Sequence, residues 1–127
     1  MRIAVTRWGE RVSPLFEAAA WLLIVETDLQ GVCGRFEAGM DHLDSAARIR
    51  LLRGLHVDIL ICGAIERNTR HRLETAGLAV VCDVCGFWED ALGACLQGQL
   101  KPKPFPAGLL PGDIVPDTEN PKPGSNA

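Results

Sequence analysis

Residues Val57 to Gly86 read VDILICGAIERNTRHRLETAGLAVVCDVCG. The run VDILIC is apolar apart from Asp58 and ends at Gly63, as a buried strand does before a turn. Glu66 to Ala76 follows as a helix, rich in arginine and therefore with a solvated face, and Gly77 stops it. Leu78 to Cys82 is again short and apolar, and Cys82-Asp-Val-Cys85 closes the stretch. Strand, helix, strand in this order predicts two parallel neighbours joined by a crossover. Their carboxyl ends would bring Cys62, Cys82 and Cys85 to one sheet edge.

Working outward, Arg2 to Thr6 (RIAVT) reads as a central strand and Arg7 to Arg11 as a loop. Val12-Ser13-Pro14 is extended, because a residue before proline is pushed away from helix. Phe16 to Ala20 suits a turn of helix. Trp21 to Thr27 is a second strand, DLQG a turn, and Val32 to Ala38 a third strand with Val32, Gly34, Phe36 and Ala38 on one face. These two strands form an antiparallel hairpin. Asp44 or Ser45 caps a helix to about Leu55, with Ile49, Leu51, Leu52 and Leu55 as its apolar stripe. Phe87 to Gln99 is a third helix, with Trp88, Ala91, Leu92 and Cys95 on one face. The result is an α/β domain of about three helices on a mixed five-stranded sheet. Its strand order is 3-2-1-4-5, with strand 2 antiparallel. Ligands of open α/β sheets bind where carboxyl ends gather, here the ends of strands 1, 4 and 5.

The chain has 127 residues, 47% of them hydrophobic, which suits one domain with one core. That domain covers 1–100. Seven of the eight prolines lie beyond Lys101, so 101–127 reads as a largely extended tail, or as a docking arm. A net charge of −3 gives no global attraction for nucleic acid. MRIAVTRWGE lacks a signal-peptide core, and Ala18 to Val25, the longest apolar run, is too short to cross a bilayer. A cytoplasmic protein is the expectation, with its five cysteines as thiols or ligands rather than disulfides.

The CxxC admits three readings. Two thiolates at that spacing can share a metal ion or cluster, with Cys62 as a third ligand and His71 or His42 as a fourth. They can cycle as a redox pair, giving a thiol-disulfide oxidoreductase. Or they are core thiols of an interaction module. Gly63 is either a point of backbone approach to a ligand or a tight turn. Arg7, Arg11 and Arg67 sit near the same edge and could draw an anion. Arg70, His71 and Arg72 are expected to face water, Cys95 to lie in the core and Cys33 to be exposed. Strand 1 offers no carboxylate for a two-metal nuclease.

Six segments together resemble the dinitrogenase iron-molybdenum cofactor biosynthesis family. They are MRIAVT, VSPLF at 12 to 16, WLLIVE at 21 to 26, LHVDILICGAI at 55 to 65, LETAGLAVV at 73 to 81 and ALGACLQGQL at 91 to 100. The resemblance implies a ribonuclease H-like fold and a non-enzymatic protein. Such a protein binds an iron-sulfur or molybdenum-containing cluster and carries it between cofactor assembly proteins, with no nucleic acid or membrane partner. Where the family often has VSPHFG, this chain has Leu15 and Glu17. On this reading Arg7, Arg11, Ser13 and Gly63 hold the cofactor, while Cys62, Cys82 and Cys85 ligate metal.

Overall fold

The computed structural model describes residues 1–100 and Pro102; the proline-rich tail otherwise lies outside the described residues. Strand β1 is Arg2–Trp8, β2 Arg11–Val12, β3 Trp21–Asp28, β4 Gly31–Gly39, β5 Ile59–Ile61 and β6 Ala79–Val81; helix α1 is Ser45–Gly54, α2 Arg67–Thr75 and α3 Trp88–Leu96. The sheet runs β4-β3-β1-β5-β6, with β2 as an added strand on β1. Relabelled for β2, this is the expected 3-2-1-4-5 path. β3 is antiparallel to β1 and β4, whereas β5 is parallel to β1 and β6.

Alternation along the central strands divides the core in two. Ala4, Leu22, Ile24, Leu60 and Val80 face Ile49 and Leu52 of α1 and Leu73 of α2. Ile3, Val5, Leu23, Val25, Ile61 and Val81 face Ala91 and Leu92 of α3. A strand covered on both faces needs a nearly unbroken apolar sequence, which RIAVT and VDILIC supply. The side chain of Asp44 accepts from the backbone N–H of Ala47 at 2.8 Å, capping α1 as its position suggests.

One expectation is corrected, and one burial was not foreseen. Arg7 to Arg11 is not simply a loop: β1 continues through Trp8, turns at Gly9 (φ 63°) and returns as β2, with Arg7 paired to Val12. The short return strand satisfies backbone groups that a loop would leave to water. Arg48 lies on the helix expected to be amphipathic, yet it is buried to 4% exposure. It shares the stripe of Leu52 and Leu55 at helical spacing, and its charge is met by carbonyl oxygens rather than by water.

Candidate functional site

The carboxyl edge is assembled by the strap Val12 to Phe16. Its extended backbone leaves β2 and crosses from the end of β1 to the end of β5. The N–H of Ser13 donates to Thr6 O at 2.9 Å. The N–H of Ala64 donates to Pro14 O at 2.9 Å, and that of Phe16 to Ala64 O at 2.8 Å, a parallel bridge between Leu15 and Ala64. Gly63 lies directly beneath. A Cβ built there would stand 2.4 Å from Ser13 O and 2.6 Å from Pro14 O. The protein's own backbone therefore occupies the close approach that Gly63 allows.

Beyond the strap, Phe16 is fully buried and begins a 3-10 turn, Phe16–Ala18. Arg48 fastens this turn from below. Its guanidinium donates to Phe16 O at 3.1 Å, Ala19 O at 2.6 Å and Leu43 O at 2.9 Å. Burial lowers the Arg48 pKa, and Glu17 and Asp41 oppose that shift. Glu17 turns one carboxylate oxygen to the N–H of Glu66 at 3.3 Å; the other is buried and has no hydrogen-bond partner among the described residues, and the same holds for the Thr6 hydroxyl.

These restraints shape an open cleft of about 330 Å³. Arg7 and Trp8 come from β1, Ser13, Pro14 and Leu15 from the strap, and Ala18, Ala20 and Trp21 from the turn and the start of β3. Trp8, Leu15 and Trp21 are exposed despite their size, so much of the lining is apolar yet open to water. Arg7 is the cleft's cation. It lies over the Trp21 ring at 5.9 Å, donates to Gly9 O at 3.2 Å and pairs with Glu37 Oε2. The hydrogen bond to Glu37 raises the Arg7 pKa, and the same bond lowers that of Glu37.

The sequence candidates thus part company. Arg7 and Ser13 line the cleft. Arg11 does not; it stacks over Phe87 at 4.9 Å and bridges β2 to the start of α3. Gly63 underlies the strap. Cys62 is fully buried among Leu60 and Val80, and burial pushes its thiol pKa well above the ordinary value. Cys82 is half-buried on the same side of the sheet. Arg70 Nη1 donates to its sulfur at 3.4 Å, and the thiol reaches Asp83 Oδ2 at 3.7 Å. Arg70, expected to face water, is instead turned onto Cys82 and Glu74. Burial raises the Cys82 pKa, the opposite of the depression that activates a redox thiolate. Cys85 is exposed, as are Cys33, His42 and His71; Cys95 is half-buried against the α3 side of the core.

Among the described residues no group of three or more His, Cys, Asp and Glu side chains is placed to hold a metal ion. The expected ligand set of Cys62, Cys82 and Cys85 is not assembled. A resident metal ligated by these residues does not fit the site. Arg48, Trp8 and Trp21 were not singled out by sequence, and Glu17 was noted only as a departure from the family's VSPHFG. The arginine interrupting an apolar helical stripe was the one legible sign among them.

A mixed sheet with helices on both faces and a cleft at its carboxyl edge defines a small α/β domain. By sequence the chain belongs to the dinitrogenase iron-molybdenum cofactor family, whose description matches residues 1–98. Three solved structures share the fold. The apo orange protein of Desulfovibrio gigas aligns with a TM-score of 0.66 and 24% identity, over 84% of this chain and 93% of that one. A protein described as a candidate dinitrogenase from Methanocaldococcus jannaschii aligns at 0.67 and 17%, over 80% and 92%. A protein described as a candidate NifB from Thermotoga aligns at 0.61 and 24%, over 80% and 91%. No curated protein matches the sequence. No helix among the described residues is long and apolar enough to cross a membrane.

Proposed function

We propose that the protein is a non-enzymatic carrier that holds a preformed anionic metal-sulfur cluster, iron-sulfur or molybdenum-containing, in the Arg7–Trp21 cleft. It would pass this cargo between cofactor assembly proteins in the cytoplasm. The observation that carries the reading is Arg7 set in an open, largely apolar cleft that contains no ligating thiols. A cluster arriving with its own sulfide ligands needs charge compensation and walls, not new bonds. A cargo held without coordinate bonds can be released without breaking any. Arg7 offers planar, charge-assisted hydrogen bonds to an anion. Trp8, Leu15 and Trp21 exclude water around the sulfides, and Ser13 adds a hydroxyl. Glu37 competes for Arg7, so the cargo must displace or share that carboxylate. Membership of the cofactor family supports the nature of the cargo.

The test is anaerobic titration with thiomolybdate, read by visible absorption. Wild type is expected to bind, Arg7→Ala to bind on the order of tenfold more weakly, and Cys82→Ser/Cys85→Ser to bind as wild type does. Failure of wild type to bind, or loss of binding in the cysteine pair with retention in Arg7→Ala, would overturn the reading.

A further inference from the structure

β4 is the outermost strand of the sheet, and among the described residues its outer edge pairs with nothing. Every residue from Gly31 to Glu37 is exposed. From Gly34 to Gly39 its pairing with β3 is regular; the one register irregularity falls at Glu26/Thr27. GVCGRFEAG contains no proline and no lysine, and its bulge falls at Cys33, opposite Glu26/Thr27, which leaves the run from Gly34 to Gly39 unbroken. An edge this long and regular presents a ready row of backbone donors and acceptors.

The sequence along the edge says what suits it. Arg35 and Glu37 share one face and flank Phe36, which is 40% exposed on the other. In an antiparallel pair of two β4 strands centred on Phe36, Arg35 of each copy stands opposite Glu37 of the other. The two-fold axis thus creates two opposite-charge pairs at once, and sets Phe36 against Phe36. Directly opposed charges of unlike sign favour a register, and like signs disfavour it. We infer that the β4 edge is a self-association surface: a second copy of this chain adds to it antiparallel about Phe36, joining two sheets into one. The pairing needs no cargo, although Glu37 also pairs with Arg7 of its own chain and would be shared between Arg7 and the second copy's Arg35.

Charge reversal tests the register directly. Sedimentation of the full chain is run in reductant, so that exposed Cys33 cannot bridge copies, from about 10 µM to about 1 mM. Wild type is expected to rise toward twice the chain mass, and less so at high salt. Arg35→Glu alone and Glu37→Arg alone each place like charges opposite one another. Each is expected to self-associate on the order of tenfold more weakly. Mixed together, they restore both pairs and are expected to associate as wild type does, which a general loss of fold could not produce. A wild type that remains at the chain mass throughout overturns the inference. So does a mixture that associates no better than its components. Protection of the outward-pointing β4 amides, those not bonded to β3, from exchange in a monomer also overturns it, because another segment would then cover the edge.

Discussion

Replacing Gly63 with alanine puts the strap under the most direct strain available. The added methyl would meet Ser13 O at 2.4 Å, Pro14 O at 2.6 Å and Pro14 C at 2.7 Å. All three are backbone atoms, so no side chain can swing aside. Overpacking of this kind costs about 1–3 kcal/mol. Lifting the strap also endangers the two Ala64 hydrogen bonds, at about 0.5–1.5 kcal/mol each. Restricting the unfolded chain returns about 0.4–1 kcal/mol, leaving a net loss of about 1–5.6 kcal/mol. For a urea slope of about 2 kcal/mol/M, the midpoint should fall by about 0.5–3 M. Gly34→Ala is the control: its Cβ meets nothing within 4 Å, and its midpoint should hardly move. The variant should also lose cleft binding of thiomolybdate, because Ser13, Pro14 and Leu15 ride on the displaced strap. A Gly63→Ala midpoint within the spread of wild type and Gly34→Ala would refute the argument.

Arg48→Met should destabilise by about 3 kcal/mol, since two buried carbonyls and a part-buried one lose a charged donor; chemical denaturation measures it, and a change below about 1 kcal/mol would contradict the role given to Arg48. Cys62 should make the fold sensitive to alkali. Its folded pKa is raised, so its contribution is complete below the ordinary thiol pKa and is lost as pH rises toward the folded value. Cys62→Ala should accordingly flatten the alkaline limb of a stability–pH profile. For Glu37 the sign is reversed. Its folded pKa is lowered by Arg7, so its contribution is present above the ordinary carboxylate value and is lost as pH falls through the lower one. Exposure keeps that contribution small. The same protonation releases Arg7, so cargo affinity should rise in that acid window, and a Glu37→Gln variant should show the higher affinity already at neutral pH.

The sheet was readable because each strand announces its surroundings. RIAVT and VDILIC need cover on both faces, and the hairpin alternates across DLQG. Helix ends followed Asp44 and Gly77 to within a residue or two. The site was less readable. Arg7 was named for its nearness to a strand end and Ser13 with the family resemblance, and both line the cleft, but the strand-end logic also gathered Arg11 and the cysteines. Proximity along a sheet edge does not say which face a side chain takes. Cys62 points into the α1–α2 core because it alternates with Ile61, whereas Cys85 lies past Asp83, whose φ of 62° turns the chain. No local pattern distinguishes those outcomes. Arg48 was hidden differently: its partners are carbonyls of residues 16, 19 and 43, which no spacing reveals.

The strap sets a timetable as well as a shape. The bond from Glu66 to Glu17 spans 49 residues, and the Ala64 bridge spans the same distance on the chain. Contacts this remote form late, after the intervening loop closure has been overcome. A chain emerging during synthesis therefore carries Arg7, Trp8 and Trp21 well before it has the segment that draws them into a cleft. For the proposed carrier, the order in which the backbone appears would keep a half-made protein from capturing its cargo.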